Sequence, residues 1–180
     1  MTVTDLAQRV REHIGQEHRY EHSLRVAQAA ETLARRHGVD AEKAYLAGML
    51  HDLARLYSAE RLIAESEARG FAMSDAERDH PTLLHARLGA ALAREAFGVE
   101  DADVLSAIEK HTTGAEVMSP LDCVVYLADS LEPNRRFVER EELWELALHD
   151  LEGATRATMR HAAEHQARKR QAAEEPASAS

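Results

Sequence analysis

Apolar residues recur along this chain at helical spacing, with capping residues and glycines where one helix should stop and the next begin. Leu6, Val10 and Ile14 recur every four residues, which predicts a short amphipathic helix over 4–14 with Thr4 or Thr2 as its N-cap. A second helix is predicted from about Glu17 to His37, carrying Leu24, Val26, Ala30, Leu33 and Ala34 and ended by Gly38. Asp40 then caps a stretch of a different kind, AYLAGMLHDLAR over 44–55. From Ala44 to Leu50 nearly every side of it is apolar, as in a helix enclosed by its neighbours. SAERLIAESEARG reads as a surface helix between a Ser58 cap and a Gly70 stop.

Residues 71–81 read as a connector ending in His80-Pro81, where proline pushes its predecessor out of helix. Helices from about Thr82 to Phe97 and from Asp101 to His111 follow, then the loop TTGAEVM. Ser119-Pro120 opens the next helix, an N-cap residue followed by proline at the first helical position, and that helix ends before Pro133. Over 139–174 the pattern allows one or two helices, docked through Leu143, Trp144, Leu146, Ala147 and Leu148. Beyond Leu151 the chain becomes rich in Ala, Arg and His, the composition of a solvated terminal helix, and PASAS reads as a frayed tail. No repeat or linker divides the chain. The expectation is an all-α, single-domain helical bundle over 1–170, with a tail over 171–180.

Composition supports helix: Ala, Leu, Glu and Arg are abundant, and aromatics make up only 4%. A net charge of −10 argues against a duplex nucleic-acid partner. It does not exclude a nucleotide substrate, since a metal or local cations can reverse the field inside a cleft. The single cysteine, Cys123, forms no intramolecular disulfide framework and reads as a core residue among valines. MTVTDLAQRV does not resemble a signal peptide, and no apolar run reaches membrane-spanning length. The expected setting is therefore cytoplasmic, without a membrane partner.

The chemistry lies where ionisable side chains fall in phase with apolar helix stripes. His22 precedes Val26, Ala29 and Leu33. His51 follows Ala44 and Ala47, and Asp52 follows Gly48. His85 shares a face with Leu88, Gly89 and Leu92; His111 follows Val104, Ala107 and Ile108; Asp129 follows Leu121 and Val125. Residues three, four or seven apart share a helix face, so all six should point inward. One such histidine alone is more often a core residue bonded to a carbonyl, as His37 would be at its helix end. Together they form a transition-metal inventory of four imidazoles and two carboxylates. Such sets hold pairs of ions suited to phosphate ester and anhydride cleavage.

The order H…HD…H…H…D resembles the HD-domain superfamily of metal-dependent phosphohydrolases. RYEHSLRVAQAAETLA, LAGMLHDLAR, LLHARLGA, IEKHTTG and CVVYLADSLEPNRRF are similar, in sequence, to the blocks of the YqeK-type symmetrical diadenosine tetraphosphatase family. The resemblance runs over about residues 18–150, with the HTTG and LADxxEP blocks its most specific parts. It implies an all-α bundle with a di-iron centre that splits diadenosine tetraphosphate into two ADP. His22, His51, Asp52, His85, His111 and Asp129 then become the metal ligands, with Asp52 as bridge and catalytic carboxylate. Iron is the expected ion pair, with Mn, Co, Ni or Zn as alternatives, and a homodimer is compatible with the reading.

For the substrate, the resemblance implies contacts from Arg55, Thr112, Thr113, Gly114 and Arg135, with Arg19 or Lys110 as further candidates for sharing polyphosphate charge. Asn134 and Ala86 stand where relatives often carry glycine, and Arg55 where they carry lysine, departures that bear on substrate fit. Activated water would attack an inner phosphorus. The rival expectations are another HD-type phosphohydrolase, acting on nucleoside monophosphates or guanosine tetraphosphate, and a non-catalytic metal- or nucleotide-binding module.

Overall fold

A computed structural model of the chain describes residues 3–174. Its described helices are α1 (Val3–Ile14), α2 (Glu17–His37), α3 (Ala41–Leu50), α4 (Ala59–Ala68), α5 (Asp75–Asp79), α6 (Leu84–Phe97), α7 (Ala102–Lys110), α8 (Pro120–Leu131), α9 (Arg140–His149) and α10 (Leu151–Glu174). A 3₁₀ turn at Pro81–Leu83 leads into α6, and no strand occurs among the described residues. The all-α bundle expected from the pattern is the fold observed. No described helix is long and apolar enough to cross a membrane.

Helices start where the sequence supplies acceptors for their first amides. Asp40 accepts from the amides of Glu42 and Lys43, Asp101 from those of Asp103 and Val104, and Ser58 from that of Arg61. Ser119 and Asp122 form a reciprocal capping box at the start of α8. Gly38 and Gly98 end α2 and α6 in the left-handed conformation, at φ 68° and 70°.

The long helix α2 packs on α3, α8, α1 and α9, and α8 in turn lies against α7 and α10. Val26, Leu33, Met49, Leu50, Ile108 and Leu127 fill the space between them and are fully buried. At Gly48 the two backbones of α3 and α2 approach closely: a Cβ there would lie 2.6 Å from Cα of Ala27. Small residues on both sides thus let the end of α3 sit tightly on α2.

Several local expectations are corrected. The 71–81 connector contains α5, capped by a Ser74–Glu77 box of the S-x-x-E type that was legible in the sequence. The enclosed helix does end at Leu50, before His51 and Asp52; beyond it, amides bond carbonyls three residues back, as Arg55 does to Asp52 at 3.0 Å. Thr4 lies inside α1, and Thr2 falls outside the described residues. Leu143 and Ala147 dock as expected, whereas Leu146 is exposed. The helix expected to reach about 174 does so as α10, and residues 175–180, where the PASAS tail falls, lie outside the described residues.

Candidate metal centre

All six side chains expected to converge do so. His22 comes from α2, His51 and Asp52 from the end of α3, His85 from the first turn of α6, His111 from the end of α7 and Asp129 from the last turn of α8. The four imidazoles form a row: ring centroids lie 5.3 Å apart from His22 to His51, 4.8 Å from His51 to His111, and 5.0 Å from His111 to His85. All four rings and Asp52 are buried, and Asp129 is half-buried.

Each ring is held by its Nδ1. His51 donates to the carbonyl of Gly48 at 2.7 Å, His111 to that of Ile108 at 2.7 Å, and His85 to that of Thr82. A carbonyl can only accept, so each Nδ1 carries a proton and Nε2 is the nitrogen left to face the centre. For His51 and His111 the local cause is their position at the C-terminal ends of α3 and α7, where carbonyls lack their full set of amide partners, whereas His85, in the first turn of α6, reaches back into the 3₁₀ turn. His22 lies inside α2 instead, and its Nδ1 meets the carboxylate of Glu132 at 3.3 Å.

The two oxygens of Asp52 divide the cluster. Oδ2 lies 3.4 Å from Nε2 of His51 and 3.7 Å from that of His22, whose Nε2 is also 3.1 Å from Oδ1 of Asp129. Oδ1 lies 3.5 Å from Nε2 of His85 and 3.7 Å from that of His111. Nε2 of His22 and of His51 are buried without a hydrogen-bond partner, a costly arrangement that a cation would relieve. His22, His51 and Asp129, and separately His51, Asp52 and His111, bring their donor atoms within 4.8 Å of one another. The donor set fits divalent metal ions, with an imidazole and carboxylate chemistry common to Fe, Mn, Co, Ni and Zn.

Electrostatics follow from burial and proximity. Burial alone would raise Asp52, yet the adjacent His51 imidazole, with His111, holds this carboxyl far below the usual range. Asp129 is likewise held low against burial, by the neighbouring His22 imidazole, then by His51 and Arg135. Burial depresses His51 as well, but the charge of Asp52 overrides it and raises the ring to about 9. His111, buried and next to that positive ring, is pushed down to about 4, and burial also lowers His85.

Above the cluster opens a cleft of about 250 Å³ lined by Arg19, Arg55, Thr82, Thr112 and Arg135 beside the ligand-type residues. Arg19 pairs with Oδ2 of Asp52, and Arg135 with Oδ1 of Asp129 at 2.6 Å. Arg55 stands exposed at the rim. The Thr112 hydroxyl reaches Nε2 of His111 at 3.1 Å and of His85 at 3.3 Å. Thr113 and Gly114 line an adjoining hollow of about 450 Å³ that shares Leu83 and Thr112 with the cleft. Gly114, at φ 66°, also seats the loop on α10: a Cβ there would meet Cε of Met159 at 2.0 Å. Lys110 does not face the cleft set; it pairs with buried Asp122 at 2.8 Å.

Two supporting residues were missed from the sequence. Glu132 was read only as part of the LADxxEP block. His13, at the end of α1, bonds the carbonyl of Leu53 at 3.1 Å, just past Asp52. Its spacing with Val10 gives no sign of this, since the partner is forty residues away.

A helical bundle that gathers histidines and aspartates from five of its helices around one divided carboxylate defines the class, a metal-centred hydrolase of the HD type. The HD domain family model matches residues 19–134, and the chain belongs to the HD-domain family, in the group of the symmetrical bis(5'-nucleosyl)-tetraphosphatases. It is 41% identical over 138 residues to the symmetrical bis(5'-nucleosyl)-tetraphosphatase of Halalkalibacterium halodurans, covering 77% of this chain and 73% of that one. The Bacillus subtilis protein of the same name is 40% identical over 142 residues, covering 77% and 74%. A crystal structure of a predicted HD superfamily hydrolase involved in NAD metabolism, from Clostridium acetobutylicum, matches with a TM-score of 0.80 at 37% identity, covering 86% of this chain and 81% of that one.

Proposed function

We propose that the protein hydrolyses diadenosine tetraphosphate symmetrically, giving two ADP. The observation that carries this reading is the divided ligand set at the floor of an arginine-lined cleft, in a chain whose relatives carry that activity in their names. In this proposal His22, His51, Asp52 and Asp129 would hold one ion, and His85, His111 and Asp52 the other. Iron is our choice of ion. Divalent ions bound there lower the pKa of water and draw charge from phosphoryl oxygens.

The chain's own groups supply position and charge. Arg19 and Arg135 already bond carboxylates of the centre, and each guanidinium has further N–H groups to offer phosphate oxygens. Arg55 adds charge at the rim, and Thr112 a hydroxyl at the His85–His111 end. Arg19 and Arg135 stand at the Asp129 end of the centre and Thr112 at the His85–His111 end, and in this reading a four-phosphate chain laid between them would bring an inner phosphorus over Asp52. Attack of water there forms a new P–O bond and breaks the bond to the central bridging oxygen. One ADP leaves with that oxygen, and the other carries the oxygen of water.

The test is anaerobic purification, metal quantitation, and incubation with diadenosine tetraphosphate plus Fe(II), Mn(II) or Co(II), followed by nucleotide separation. Metal-dependent formation of ADP alone is expected, and Asp52→Ala should lose both turnover and most bound metal. AMP plus ATP would move the attack to an outer phosphate. Bound metal without turnover would turn attention to nucleoside monophosphates and guanosine tetraphosphate, then to a binding module. Absence of metal from the protein would overturn the reading at its base.

A further inference from the structure

The four imidazoles of the centre differ in what holds them. His51 and His111, at the C-terminal ends of their helices, and His85, just after the 3₁₀ turn, each use a backbone carbonyl three residues back. His22 sits in the body of α2, where carbonyls are committed to amides, and its Nδ1 must find an acceptor elsewhere. That acceptor is Glu132, 110 residues away and only 2% exposed. Its Oε1 faces Nδ1 of His22 at 3.3 Å, while Oε2 accepts from Nε of Arg25 at 2.9 Å and from the amide of Asn134 at 2.8 Å.

Asp129 and Glu132, three residues apart at the end of α8, therefore grip opposite nitrogens of the same ring. Oδ1 of Asp129 is 3.1 Å from Nε2. We propose that Glu132 is a positioning residue that fixes the tautomer of His22, keeping the proton on Nδ1 so that the Nε2 lone pair faces the metal centre. The inference rests on the metal-centre reading above and adds to it a dedicated carboxylate for one of the two ion positions. A carboxylate partner also raises the basicity of the ligating nitrogen more than a carbonyl does. Arg25 and the Asn134 amide hold Glu132 in place, which gives the glutamate of the LADSLEP block a role distinct from ligation.

Glu132→Gln makes the test sharp. Oε2 faces two donors, so the amide oxygen of glutamine belongs there, and the NH2 group turns to His22. Nδ1 must then accept, the proton moves to Nε2, and that nitrogen loses its lone pair for metal. Titration of metal-free wild type and E132Q with Co(II), followed by absorbance and chelator competition, should show one of two binding events weakened roughly 10–100-fold and the other unchanged. Equal affinities, or equal weakening of both events, would overturn the proposal. Histidine-selective ¹⁵N NMR of Zn(II)-loaded wild type supplies a measurement that needs no variant: Nδ1 of His22 should be protonated, and an unprotonated Nδ1 would overturn the role even if E132Q does not fold. Wild type that binds no divalent ion would instead remove the metal centre itself, an outcome distinct from a variant that behaves like wild type.

Discussion

Lys110, the last residue of α7, reaches back over the TTGAEVM loop to place Nζ 2.8 Å from Oδ2 of buried Asp122 in α8, and it also bonds the carbonyl of Val117 at 3.2 Å. Asp122 at the same time accepts the Ser119 amide at 2.8 Å as part of the α8 capping box. One ion pair thus fastens both ends of the loop that carries Thr112 toward His85 and His111. Lys110→Met leaves a buried carboxylate without its cation, and a charged hydrogen bond of this kind is worth about 1.5–3 kcal/mol. Urea denaturation should show a loss of that order. The KM for diadenosine tetraphosphate should rise while metal content stays at the wild-type level, because no ligand-type residue is touched.

The contact between Gly48 and Ala27 predicts a second lesion, at a distance from the cleft. A methyl at position 48 would stand 2.6 Å from Cα and 2.9 Å from N of Ala27, both backbone atoms that cannot swing aside. Gly48→Ala must push α3 off α2, with an overpacking cost of about 1–3 kcal/mol. Gly48 also supplies the carbonyl that orients His51, so the shift should weaken metal binding as well. Gly89→Ala is the milder comparison, since its Cβ would meet the His51 carbonyl oxygen at 3.1 Å. Melting temperature and metal affinity should fall together in the first variant and change less in the second.

Arg135 is expected to matter differently with and without metal. Its guanidinium bonds Oδ1 of Asp129 at 2.6 Å and the Asp129 carbonyl at 2.9 Å. Arg135→Ala removes this compensation from a largely enclosed carboxylate, so the metal-free variant should melt below wild type. An ion held by Asp129 would replace the lost positive charge, and added Mn(II) should then narrow the difference in melting temperature. The substrate-side defect, a raised KM, should persist in the loaded enzyme. A melting gap that is the same with and without Mn(II) would show that Arg135 and the ion do not share Asp129.

The six converging side chains were legible because each falls in register with an apolar stripe, so local periodicity alone determined its direction. His51 shows the strength of that signal: Ala44 and Ala47 place it inward, and the ring is fully buried. What periodicity cannot carry is a contact between distant segments. Glu132 sits beyond the last turn of α8 and meets His22 across 110 residues, a pairing decided by how α2 packs on α8. Lys110 is a related case: the fold brings the Asp122 carboxylate within 2.8 Å of its Nζ, a pairing that spacing along the chain does not show. The short helix α5 has its capping box written in Ser74 and Glu77, but it buries no residue and so has no apolar stripe to mark it as helix.

The titration of His51 yields a prediction about metal uptake. Burial pulls this ring down, but the Asp52 carboxylate, with Oδ2 3.4 Å from Nε2, overrides it and raises the pKa to about 9. Metal-free protein therefore carries a proton on His51 at neutral pH. Because the folded value lies above the unfolded one of about 6.5, the proton contributes stability that is complete below pH ~6.5 and lost as pH rises through about 9. Asp52 and Asp129 are already ionised in this window, and His85 and His111, lowered below the ordinary value, are already neutral, so His51 is the group among them that must give up its proton to a metal. Metal and proton compete for Nε2, which sets the sign. Affinity for Mn(II) should climb by up to about tenfold per pH unit between pH 6.5 and 8.5, with proton release that shrinks toward the upper end. The melting temperature of metal-free protein should fall over the same interval while the increment from added Mn(II) grows. Calorimetric titration in buffers of different ionisation enthalpy counts the protons directly. An affinity that is flat across this range, with no proton released, would show that His51 is not protonated in the metal-free centre.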